Sequence, residues 1–214
     1  MNCVAPVTDF RKVDHQQERI VDKFLHKFFY SKLFKSVETV TDFSRQVAGV
    51  DVIADGMYID NKAQSSPKYV NNPTNTFILE LSFLNKYDEE SVGWFLSDTS
   101  QTTHYLFVWV NNALVDYNRR ILPDGIREVE VLLVDKQKLR DKISKYYSDD
   151  RLLTIANEMR ETESTWMPCK IPLCKFSHSP TYREKPTNIV AKKDFFIECS
   201  TMHCIVSTDN IVHI

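Results

Sequence analysis

Four glycines and eight prolines are few for 214 residues, which excludes collagen-like, low-complexity and linker-dominated architectures. No apolar run approaches the roughly 20 residues a membrane helix needs, so no membrane partner is expected. The opening Met1-Asn2-Cys3-Val4-Ala5-Pro6 is too short and polar for a secretory signal peptide, and a cytoplasmic chain is expected. There is no basic excess: 27 Lys and Arg face 29 Asp and Glu, for a net charge of −2. Proteins that coat nucleic acid are ordinarily basic, so a packaging role is disfavoured, whereas an enzyme needs positive charge only locally. The chain also lacks a P-loop, a Gly-x-Gly-x-x-Gly stretch, a Gly-x-Ser-x-Gly elbow and internal repeats.

A hydrophobic content of 43% can build a sizeable core, and the length suits one domain with an appended segment. The five cysteines are an odd number, and reduced thiols are the default in such a chain. Cys169 and Cys174, and Cys199 and Cys204, form two similar pairs with His178 and His203 nearby. Four such ligands would hold structural zinc, but the spacing is looser than the usual C-x2-C, so idle or buried thiols are the expected state. Cys199 with His203 also suggests a thiol nucleophile, but nothing supplies the helix N-terminus that would activate it.

The most informative stretch is Gly49–Gln64. Asp55-Gly56 is a strong hairpin signal, because a two-residue type I′ turn needs positive φ at both positions. Counting outward pairs Ala54 with Met57, Ile53 with Tyr58, Val52 with Ile59, and Asp51 with Asp60. Alternation puts Asp51, Asp60, Lys62 and Gln64 on one face, and Val50, Val52, Ile59 and Ala63 on the other, with Asn61 the polar exception. Facing carboxylates about 5 Å apart repel unless a cation lies between them. A divalent metal beside Lys62 would remove that cost. The bland alternative, an exposed Asp60–Lys62 salt bridge, leaves Asp51 unexplained.

Around this stretch, Asp14 reads as an N-cap with Gln17 at the N3 position. A helix is expected over His15–Lys35, with Val21, Phe24, Leu25, Phe28 and Phe29 at helical spacing. Glu18 lies on its core side in the first turn, and Asp22 is a competing acid near the same stripe. Strands are expected over Phe77–Leu84, Gly93–Ser97, His104–Val110 and Glu128–Val134, with a turn at Pro123-Asp124-Gly125. Asp135 caps a helix, and a second follows over Arg151–Glu161. Residues 166–187, holding four prolines, read as irregular, and Phe195–Cys199 with Cys204–Ser207 as a terminal pair of strands. Glu80, in an otherwise apolar strand, is expected to support a buried base such as Lys62.

Asp51 followed by Asp60-Asn61-Lys62 on the next strand resembles the signature of the PD-(D/E)xK, restriction-endonuclease-like nucleases. The resemblance covers roughly residues 14–110; Val50 stands where the family name has Pro, and no clear helix separates the strands near 77–84 and 104–110. It implies an α/β (α+β) fold with a restriction-endonuclease-like core, a central mixed β-sheet flanked by helices. Residues 1–165 would form the nuclease-like domain, and 166–214 a C-terminal extension packed on it. It implies a Mg²⁺- or Mn²⁺-dependent phosphodiesterase, a hydrolase cutting DNA rather than RNA, and it allows a homodimer. Asp51, Asp60, the Asn61 carbonyl and Glu18 would bind metal. Lys62 would hold the attacking water or neutralise phosphate, and Gln64 would orient water or a phosphate oxygen. The alternative is a catalytically inactive nuclease-like module that binds nucleic acid or a protein partner.

Overall fold

Two β-sheets carry the chain, and helices cover what the sheets leave open. The computed structural model describes residues 8–214; the N-terminal stretch considered as a signal sequence lies outside them. The elements follow in order: α1 (Thr8–Leu25), a π-turn (His26–Tyr30), α2 (Ser31–Leu33), β1 (Val37–Thr39), α3 (Phe43–Val47), β2 (Val52–Ala54) and β3 (Met57–Gln64). Then come β4 (Thr76–Leu84), β5 (Glu90–Val92), β6 (His104–Val115), β7 (Ile121–Asp135), α4 (Lys136–Ser144) and α5 (Asp149–Glu161). The chain ends with β8 (Trp166–Pro168), β9 (Cys174–His178), β10 (Thr187–Lys192), α6 (Lys193–Ile197), β11 (Ser200–Ser207) and β12 (Ile211–His213).

The first sheet has the order β1-β2-β3-β6-β7-β11-β12. Only β3 and β6 run parallel in it, so it is mixed. The second, β5-β4-β10-β9-β8, is antiparallel throughout. Strand β6 is buried on both faces, the reason its sequence runs apolar without alternation. Leu106, Val108 and Val110 pack under Val21, Phe24 and Phe29 of the N-terminal helical stretch. On the opposite face Tyr105, Phe107 and Trp109 meet Phe77, Leu79 and Leu81 of β4 and the apolar sides of α4, α5 and α6. Burying each such side chain contributes about 1.5–3 kcal/mol.

Several boundaries differ from the sequence reading. The N-terminal helix begins at Thr8, so Asp14 lies inside it. Gln17 is buried rather than capping: its Oε1 accepts the Ile121 N–H at 2.6 Å, anchoring the start of β7. Gly93–Ser97 is turn, and the strand before it is β5. Pro123-Asp124-Gly125 does not end a strand; it is a bulge within β7, where Asp124 takes φ +54° and the register to β6 shifts. Segment 166–187 contains β8 and β9, whose bonds to one another and to β10 supply the order that its prolines concealed. Residues 193–197 form α6 rather than a strand, burying the adjacent Phe195 and Phe196. The 166–214 segment is woven into both sheets, with β10 bonded to β4 and β11 to β7. Asp135 and Ser148 do cap α4 and α5, accepting from the Lys138 and Arg151 N–H groups.

Candidate active site

The β2–β3 hairpin turns through Asp55 (φ +45°) and Gly56 (φ +82°), and its pairs are Val52 with Ile59, Ile53 with Tyr58 and Ala54 with Met57. Pairing stops at Val52, because Asp51 bends away, and its backbone N–H bonds the Ile59 carbonyl at 2.9 Å. Beyond that point, among the described residues, β3 pairs only with β6, so residues 60–64 present an edge free of a second strand. The edge opens into a cleft of about 490 Å³ lined by Glu18, Asp22, Asp51, Asp60, Asn61, Lys62 and Trp94, among others.

Asp51 reaches across to this edge: its Oδ2 accepts the Asn61 backbone N–H at 2.8 Å. Residues alternate along a strand, so the Asn61 carbonyl faces the same edge. Asp60 is 5% exposed and lies on the Tyr105 side of the sheet. Burial pushes its carboxyl up to about 6; Lys62 opposes the shift, while Asp51, close enough to share a hydrogen bond, adds to it. The Lys62 ammonium lies 2.9 Å from Asp60 Oδ2 and 4.7 Å from the centre of the Trp94 ring. Glu80 carries a raised pKa, from burial first, with the Trp94 backbone N–H and the charge of Lys62 lowering it.

The helical stretch completes the site from the other face. The π-turn inserts an extra residue, so that the adjacent Phe29 and Tyr30 are both fully buried. Tyr30 Oη donates to Asn61 Oδ1 at 2.6 Å, and Asn61 Nδ2 donates to Asp22 Oδ1 at 3.1 Å. Burial and then the nearby Asp51 charge push Asp22 up to about 6. Asn61, the polar residue that interrupts the apolar face of β3, is thereby fully paired between helix and strand.

The expected residues therefore divide. Asp51, Asp60, Asn61 and Lys62 converge on the cleft, with Glu80 close enough to Lys62 to feel its charge. Glu18 stands at the mouth, half exposed and 3.1 Å from His15, so Asp22 is the helix acid that approaches Asp51. Gln64 is spent on structure: it donates to Thr74 Oγ1 at 3.0 Å and accepts the Thr74 N–H at 2.9 Å. Sequence reasoning missed Tyr30, the Asn61 side chain, Trp94 and Tyr105, whose buried hydroxyl finds no hydrogen-bond partner among the described residues.

Among the described residues no group of three or more His, Cys, Asp or Glu side chains is gathered closely enough to cage a metal ion. Two carboxylates and one carbonyl suit a smaller share of the coordination of a hard cation that keeps several waters, as Mg²⁺ does. Burial first, and the Asp51 charge to a lesser degree, hold the Asp60 carboxyl up, a condition that such a cation would relieve. The cysteine quartet does not assemble: Cys199 packs in the core on one side of the first sheet and Cys204 on the other. Cys204 Sγ lies 3.3 Å from His213 Nδ1, while His203 is paired with Glu130 at 2.8 Å. Burial raises all four described thiols, the reverse of what a nucleophile needs. No helix of the described residues is long and apolar enough to cross a membrane. No protein-family model, no curated protein and no solved structure matches this chain.

Proposed function

We propose that the chain is a metal-dependent nuclease, hydrolysing phosphodiester bonds in DNA, with a restriction-endonuclease-like core formed by α1, β2, β3 and β6. The observation that carries this reading is the convergence of Asp51, Asp60 and Lys62 at the free edge of β3. The connection from β3 to β6 departs from the family pattern: β4 joins the second sheet, and between β4 and β6 the chain forms β5 and turns where a helix is expected. The crossover nevertheless leaves β3 and β6 parallel and adjacent.

Asp51, Asp60 and the Asn61 carbonyl would hold Mg²⁺ or Mn²⁺. When bound, such an ion polarises phosphoryl oxygens and acidifies water. Lys62 brings a cation to the charge that accumulates on phosphate in the transition state. Asp60 and the Trp94 ring hold that ammonium over the cleft, within reach of the Glu80 charge. Tyr30 and Asp22 fix Asn61, and with it the strand edge on which both acids depend. Linear, circular and single-stranded DNA with Mg²⁺ or Mn²⁺ are the test substrates. Wild type should cut, and a folded Asp60→Ala variant should not; equal cutting by both would reject the site.

The absence of a three-acid cage among the described residues favours a second reading, a nuclease-like module that binds nucleic acid or a protein without cutting. Tight DNA binding with no cleavage under any metal would select it.

A further inference from the structure

The acid cleft does not end at Lys62. A second cavity of about 420 Å³ continues it along β3 and shares Glu18, Ala63, Phe77 and Ile78 with it. Its chemistry is different. The remaining wall among the described residues is Gln64, Ser65, Ser66, Tyr69, Thr74, Thr76 and Tyr182, rich in hydroxyls and without Lys or Arg. Among the described residues Lys62 is the one basic side chain lining the two cavities, against Glu18, Asp22, Asp51 and Asp60. The wall is also held in place: Gln64 bonds Thr74, and Trp109 Nε1 donates to the Thr74 carbonyl at 2.9 Å. Two apolar surfaces stand open on it, Tyr182 at 68% exposure and Ile78 at 46%.

Duplex DNA is bound chiefly through Lys and Arg on its phosphates, and among the described residues the lining offers only Lys62, with Lys68 beside it, 5.3 Å from the centre of the Tyr69 ring. Unpaired bases are bound by stacking on aromatic faces, with hydroxyls serving their edges. We propose that the hydroxyl-rich half of the cleft is a subsite for a single-stranded nucleic acid, whose unpaired bases stack on Tyr182 and Tyr69 beside the cutting site. The proposal rests on the nuclease reading and narrows its substrate to strands with exposed bases.

Fluorescence anisotropy tests it with short labelled oligonucleotides, as single-stranded DNA, single-stranded RNA and duplex DNA, in Ca²⁺. At least one single-stranded form should bind about 10-fold or more tighter than duplex, and the DNA and RNA arms identify the sugar. Tyr182→Ala, at an exposed position that should not disturb folding, should weaken single-strand binding about 5- to 100-fold, the range of one lost stacking contact. Tyr182→Phe should retain binding, because stacking needs the ring and not the hydroxyl. Duplex binding as tight as single-strand binding, or a Tyr182→Ala variant that binds like wild type, would overturn the subsite. A small chromogenic phosphodiester separates the two levels of the argument. Its Mg²⁺-dependent hydrolysis without binding of any oligonucleotide overturns the subsite alone, whereas neither hydrolysis nor binding overturns the nuclease reading as well.

Discussion

Asp51 Oδ2 and the Asn61 backbone N–H are 2.8 Å apart, and this bond fastens the first acid to the strand that carries the second. It forms only because β2 has stopped pairing one residue earlier, which leaves the Asn61 N–H otherwise without a ladder partner. The expected cross-strand pair of Asp51 and Asp60 thus becomes a side-chain cap on the free edge of β3. Asp51→Ala should abolish this cap and remove one of the two proposed carboxylate ligands. Cleavage should fall by at least about 10²-fold, comparable to losing one preorganised electrostatic contact. Steady-state rates of the variant, with circular dichroism to establish its fold, provide the check.

Tyr30→Phe removes one hydroxyl from the chain Tyr30–Asn61–Asp22. Losing a buried hydrogen bond of this kind should cost about 1 kcal/mol of stability. Urea unfolding should show the loss, and cleavage should fall only several-fold, since Asp51 and Asp60 are untouched. Unchanged stability would mean that the bond has no weight.

Much of this site is legible in the residues. Asp55-Gly56 dictates the turn, the turn dictates the register, and the register sets Asp60, Lys62 and Gln64 on one face. Asn61 stood out for its polarity, but its partner could not be read, because a π-turn shifts Tyr30 out of the regular helical period. Gln64 shared the face of Asp60 without sharing its role, since face is set by alternation and partner by the path of a loop ten residues away. The second sheet escaped notice for a similar reason: β9 lies among prolines and becomes a strand by pairing with β10, which is itself bonded to β4 far back in the chain, a contact no local pattern displays.

The acid pair should leave a pH signature on stability. Asp60 and Asp22 are raised from 3.8 to about 6 in the fold, so between these values the folded state binds more protons than the unfolded one. Stability without metal should therefore fall as pH rises from about 4 to about 6 and level off above it. For Asp60 alone the effect is bounded at about 3 kcal/mol. Asp60→Asn should remove the Asp60 share of this fall and leave that of Asp22, so its melting temperature should gain on wild type as pH rises from 4 to 7. Parallel pH profiles would contradict the burial argument.

Gly49 is held at φ +80°, and a Cβ there would come 2.8 Å from Thr102 Oγ1, which donates to the Gly49 carbonyl. Gly49→Ala should cost about 1–3 kcal/mol through backbone strain and this contact. The lining wall beside Asp60 should loosen with it, so cleavage should fall together with the unfolding midpoint.

The central claim is that Asp51 and Asp60 together hold a divalent cation. Titration of the protein with Mn²⁺, followed by electron paramagnetic resonance of the free ion, measures this without any substrate. One Mn²⁺ should bind per chain, and Asp51→Asn and Asp60→Asn should each weaken that binding at least about 10-fold. Wild type that binds no Mn²⁺, or variants that bind it as tightly as wild type, would contradict the account.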